Sequence, residues 1–283
     1  MAYPTVDAPY GLKPVNLIGG QVFAGSTREY PIQYGYATDI GYGDFVALNR
    51  GNTVRLSVTA AGASGLVGIF LGCSYTNPLT KQKFFSQYWP AGTLAGDAVA
   101  IVTDDPDTVF KGVVCSATTV IGAANTALIG QNIQMINNAV NLNNGNSTNA
   151  IAAVVGAGAP AITGTFPLRV LDVVRETATA VSAVGSSSGT AITLTGTGLP
   201  SAILAGSDVA YIAANGQFVE TGSYVQANTA AGATTVNINL AIAVPGSIVA
   251  IPAGSTIVFT QYSEILVKIN HSQHQYYIGA AVA

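Results

Sequence analysis

The sequence predicts a mainly β protein: a β-sandwich or barrel host domain, an extended N-terminal arm, and a second small all-β domain inserted into the host. Three observations lead there. Short runs rich in Val, Ile, Thr, Phe and Tyr recur between Gly, Asn, Asp and Pro, the pattern of antiparallel strands and tight turns. Residues 177–260 hold no Lys or Arg and only Asp208 and Glu220 as acids, so a block of distinct composition sits inside the chain. Alternating strands that carry charge flank that block, LRVLDVVR at 168–175 and EILVKIN at 264–270.

Residues 1–20 read as the arm. Pro9, Tyr10, Leu12 and Pro14 follow neither a strand nor a helix period, and a segment punctuated by Pro and Gly buries little of its own surface. It suits a place along a partner, adding a strand or filling a groove. The host, 21–176 plus 261–283, has strand runs at 22–23, 28–34, 44–48, 54–59, 65–75, 82–88, 98–103, 108–114 and 168–174. A helical turn or two fits 123–130. The stretch 131–150 carries Asn137, Asn138, Asn141, Asn143, Asn144, Asn146 and Asn149; Asn favours turns, so a long surface connection is expected there, not a core element. Within 177–260 the runs 178–184, 190–195, 207–213, 217–225, 234–242 and 254–259 suffice for a small barrel or sandwich, with Asn215-Gly216 as a hairpin turn. Insertion of such a unit requires exposed, neighbouring chain ends in the host.

Only 8% of the 283 residues are charged, against about 25% in a typical soluble domain. A free monomer is normally kept in solution by a charged, patch-free surface, so one this neutral suits being covered by neighbours. Net charge is −3 and the ten basic residues are scattered singly, which excludes the electrostatic footprint of a nucleic-acid binder. No uninterrupted apolar run reaches the ~18 residues of a membrane span. The opening lacks a basic start followed by an apolar stretch, so synthesis in a cytoplasm is expected. Cys73 and Cys115 lie in apolar, strand-like runs and are expected as buried thiols, not a disulfide.

Chemistry is sparse. Asp104-Asp105-Pro106-Asp107 offers oxygens of the kind that bind Ca²⁺, but the further spaced ligands of a calcium loop do not follow, and a turn between two strands is expected. His271 and His274 have no cysteine or carboxylate at ligand spacing, which favours a polar strand end or a subunit contact. Neither a nucleophile elbow nor a phosphate-binding loop is present, so no enzyme activity, no metal and no cofactor is expected. Phe84, Phe85, Tyr88 and Trp89 form the densest aromatic patch, with core packing as one reading and an interface anchor as the other. The candidates for subunit contacts are Pro9, Tyr10, Leu12, Pro14, Phe84, Phe85, Tyr88, Trp89, His271 and His274.

The opening Asp7-Ala8-Pro9-Tyr10-Gly11-Leu12-Lys13-Pro14-Val15, with Gly19-Gly20 and Gly25-Ser26-Thr27-Arg28-Glu29-Tyr30, resembles a group of tailed-bacteriophage virion proteins. GYGDFV at 41–46, GLVGIFLGC at 65–73, the DDPD turn with its following aromatic strand, and the His- and Gln-containing end at 270–275 extend the resemblance. It covers about the host, 1–175 and 261–283, and leaves 177–260 outside. It implies a structural subunit of the virion: a capsid decoration or cement protein, made in a bacterial cytoplasm, sitting on the capsid surface as a homotrimer bound to the major capsid protein. It implies no catalytic residue. The alternative is a tail or head-fibre component whose inserted module binds a host-surface receptor or glycan.

Overall fold

The computed structural model describes residues 6–56, 65–153, 164–187, 189–239 and 250–277. Residues 1–5 of the expected arm, and the ends 57–59 and 240–242 of two expected strands, lie outside them. The fold is mainly β, as the periodicity predicts. From the N-terminus the strands are β1 (Lys13–Leu17), β2 (Arg28–Pro31), β3 (Phe45–Asn49), β4 (Asn52–Arg55), β5 (Gly68–Thr76), β6 (Lys83–Ser86), β7 (Val99–Thr103), β8 (Thr108–Ala117) and β9 (Val120–Ile121). Five short ones follow: β10 (Asn132–Ile133), β11 (Met135–Ile136), β12 (Val140–Asn141), β13 (Asn146–Ser147) and β14 (Ala150–Ala152). Then come β15 (Leu168–Val173), β16 (Ala178–Ser187), β17 (Ala191–Leu194), β18 (Asp208–Ile212), β19 (Phe218–Val225), β20 (Thr235–Asn239), β21 (Ile251–Tyr262) and β22 (Glu264–Ile269).

Two sheets share one core. The first runs β10-β15-β22-β8-β14-β11, with β1 and β9 also on β8; the second runs β2-β7-β5-β3-β4, with β6 also on β5. Leu12, Phe110, Val114, Ile151, Leu168, Val170 and Val267 of the first meet Phe45, Leu66 and Ile69 in a single buried cluster. The second sheet buries another cluster, including Val46, Phe70, Val102 and Trp89. Alternation drives both, since successive side chains of a strand point to opposite faces.

Strands β16 to β21 close a barrel in the order β16-β17-β20-β19-β18-β21. Its interior holds Val181, Ile192, Leu194, Val209, Tyr211, Val236, Ile257 and Phe259. Closure removes open strand edges, which are what charged gatekeepers normally protect, so this segment can do with few charges. Its outward positions on β20 are Thr235, Asn237 and Asn239. The chain leaves for the barrel after β15 and returns into β22, and those two strands pair with each other from Leu168↔Ile269 to Val173↔Ile265.

Two expectations are corrected. The opening segment, over its described residues, is no free arm: Pro9 and Leu12 are buried, and β1 pairs antiparallel with β8 of its own chain, so the added strand is supplied in cis. Leu12 is apolar enough to join the core, and Gly11 lets it enter; at φ +75° a Cβ there would stand 2.6 Å from the Gly43 carbonyl oxygen and 2.7 Å from Ser147 Cβ. The Asn-rich stretch is a surface connection only in its middle, where Asn143 and Asn144 are exposed in a turn: Ile133 and Met135 are core residues, and β14 lies parallel to β8 at Ile151↔Val114. The helical expectation at 123–130 reduces to one 3₁₀ turn, Thr126–Leu128.

Candidate interaction surface

The expected contact residues divide between interior and surface. Trp89 is fully buried, donates its Nε1–H to the Tyr36 carbonyl at 3.3 Å, and meets Tyr75 edge-on with ring centroids 5.4 Å apart. Leu12, Pro9 and His274 are buried as well. These four belong to the chain's own packing, which corrects their expected place at a subunit contact. Tyr88 is half-buried, its ring against Gly145. Pro14 is half-buried within β1. The half-buried Tyr10 donates its hydroxyl to Glu264 and lies under Lys13, whose Nζ is 4.2 Å from the ring centroid. Burial, then the Glu264 carboxylate, pushes the Tyr10 phenol well above the usual range.

The two histidines part company. His271 is exposed and stacks on Tyr277, ring centroids 4.7 Å apart. His274 has its Nε2 3.2 Å from the Asp104 carbonyl, and its Nδ1 accepts from the Tyr276 amide at 3.2 Å, which makes Nε2 the protonated nitrogen. Burial lowers its pKa. The acidic string divides too: Asp105 and Asp107 make the turn between β7 and β8, the Asp107 amide donating to Asp105 Oδ1 at 2.9 Å. The buried Asp104 carboxylate instead accepts from Tyr30 at 2.6 Å and from Tyr276, with Arg28 Nε at 3.3 Å. Among the described residues no three His, Cys, Asp or Glu side chains are grouped so as to hold a metal ion.

What stands outward is the β5–β6 hairpin. Its turn is built by Asn77, whose Oδ1 accepts from the amides of Leu79 at 2.8 Å and Thr80 at 3.2 Å, with Lys81 in the left-handed region at φ 61°. Register then fixes the aromatics. Tyr75↔Phe84 and Ser74↔Phe85 are partners, so Phe84 lies on one face, stacked on Tyr75 with centroids 6.1 Å apart, and Phe85 on the other. Phe85 is 80% exposed, Phe84 40%, and Leu79 at the tip 90%. Strand β6 pairs with β5 alone among the described strands, leaving its outer edge open. Two of the charges beside it engage each other: Lys83 Nζ is 3.1 Å from Asp97 Oδ2, and Thr76 donates to Asp97 through its amide at 2.9 Å and its hydroxyl at 2.7 Å. Those Thr76 bonds, then Lys83, hold the Asp97 carboxyl below the usual carboxylate range. Sequence reasoning found the aromatic patch but missed Leu79, whose signal was an apolar residue placed directly in a turn. No family model, curated protein or solved structure matches the chain.

Proposed function

We propose that the chain is a structural subunit of a virion, a capsid decoration protein that holds to copies of itself and to the shell through the β5–β6 hairpin. The observation that carries this is one hairpin that exposes Leu79 at its tip and Phe84 and Phe85 on its two faces, beside a strand edge left open among the described strands. An exposed, apolar edge of this kind is a template for pairing with another chain, and isolated subunits avoid it. The low charge of the whole chain and the resemblance of residues 7–30 to phage virion proteins support the same reading. With the opening segment folded into its own core, the grip passes from an arm to the hairpin. Size-exclusion chromatography with light scattering should give an oligomer, three copies on the resemblance; a stable monomer that also fails to bind capsids overturns the proposal. Leu79→Asp with Phe85→Asp should shift the oligomer to monomer with the circular dichroism spectrum unchanged, because both side chains lie outside the core.

A further inference from the structure

On the outer face of the first sheet, Arg169 of β15 and Lys268 of β22 are directly opposite register partners. Like charges in that position repel, and cross-strand pairs of this type are destabilising unless something lies between them. The chain shows how it satisfies such a pair elsewhere. Lys13 and Lys111 are also register partners, and there the Glu264 carboxylate sits 3.3 Å from Lys111 Nζ while the Tyr10 ring, itself bonded to Glu264, underlies both cations. Arg28, Arg55, Lys83 and Arg175 likewise have a carboxylate within 4.0 Å. Among the described residues Lys13, Arg50, Lys81, Arg169 and Lys268 have none, and of these only Arg169 and Lys268 face each other as register partners.

We propose that these two side chains form an oxyanion site. Arg169 is already oriented, because its Nε donates to the Gly130 carbonyl at 3.2 Å and leaves the terminal nitrogens of the guanidinium to face a ligand. A guanidinium fixed in this way offers parallel N–H donors to a carboxylate or phosphate. The groove between them is completed by His271 and Asn270 at the end of β22 and by Ile18 and Leu171, so the ligand is an oxyanion whose remaining bulk meets apolar surface. Inorganic phosphate and the carboxylate of a neighbouring polypeptide share this chemistry.

The test uses the full chain and inorganic phosphate as probe. Phosphate should raise the thermal unfolding midpoint above that in sodium chloride of equal ionic strength, and should shift the backbone amide resonances of 169, 268 and 271. Arg169→Gln and Lys268→Gln should each weaken phosphate binding about tenfold, the loss expected for one charge-assisted contact, and the double variant should abolish the difference between the two salts. In chloride alone Lys268→Gln should unfold at no lower temperature than the parent, since repulsion is relieved. A blocked dipeptide bearing one aspartate side chain identifies the source: displacement of phosphate marks a neighbouring polypeptide, and phosphate binding without displacement marks a free anion. Equal responses to the two salts, or shifts that avoid these three residues, overturn the site.

Discussion

Asp44 is fully buried, and its carboxylate is surrounded by donors: the Gly41 amide at 2.8 Å, Arg55 Nε at 2.7 Å and Nη2 at 3.2 Å, Ser147 Oγ at 2.6 Å and Asn149 Nδ2 at 2.9 Å. A charge is tolerated in a protein interior when it is paired and every lone pair is used, and removing one partner strands the other. Asp44→Asn should therefore cost ~3–5 kcal/mol in urea unfolding, because Arg55, whose side chain is only 11% exposed, loses its counter-charge. The same side chain explains the Asn-rich stretch. Asn149 Oδ1 accepts from the Asn138 amide at 2.8 Å, and Arg55 donates to the Asn138 carbonyl, so these two asparagines serve as internal donors and acceptors, while Asn143 and Asn144 are exposed in the turn between β12 and β13. The two thiols are inert for a simpler reason: burial pushes Cys73 and Cys115 up to about 12. The thiolate is the reactive form, so Ellman's reagent should label neither in the native protein and both once it is unfolded.

Among the elements, the joint between barrel and sandwich is pH-sensitive. Asp208 at the start of β18 accepts the Thr126 amide at 2.9 Å, and Asn125 Nδ2 reaches the Gly206 carbonyl at 3.1 Å. Burial raises Asp208 to about 6, against the bonds from Thr126 and with Glu220 adding repulsion. A carboxyl whose folded value lies above its unfolded one binds its proton more tightly when folded. Its contribution is therefore complete at about pH 4 and is lost as pH rises through about 6. The loss reaches about 3 kcal/mol by pH 7, and Asp208→Asn, which keeps an acceptor for Thr126, should be more stable than the parent at pH 7 and indistinguishable from it at pH 4 in urea unfolding. Elements with a local cause were legible in the sequence. The DDPD turn and the Asn215-Gly216 turn, where Gly216 sits at φ 81°, are set by their own residues. Strands β10 to β14 were not legible, because each is two or three residues long and is fixed by partners as distant as Asp44 and Val114. Likewise nothing local in Pro9 to Leu17 says that its partner strand is β8. The aromatic patch was legible as a patch, while its division into buried Trp89 and exposed Phe85 depends on the pairing of β6 with β5.

Over the whole molecule the surface divides by chemistry. The outer face of the first sheet carries charges, the Lys111–Glu264 pair as well as the facing cations Arg169 and Lys268, the apolar hairpin stands on the second, and β20 of the barrel turns Thr235, Asn237 and Asn239 outward. Low charge thus accompanies two different features, closed strand edges in the barrel and an exposed apolar hairpin on the second sheet. The connection between the two bodies is a pair of adjacent antiparallel strands: Val173↔Ile265 is followed, across the 3₁₀ turn Arg175–Thr177, by Ala178↔Tyr262. That geometry decides how the protein bears mechanical load. A pull on the barrel draws β15 and β22 together along their own axes, so the five register pairs between β22 and β8, Glu264↔Val113 to Lys268↔Val109, are loaded in shear and must yield at once, not peel one after another. Load on the barrel is thereby borne by the stiffest direction of the sheet that anchors it.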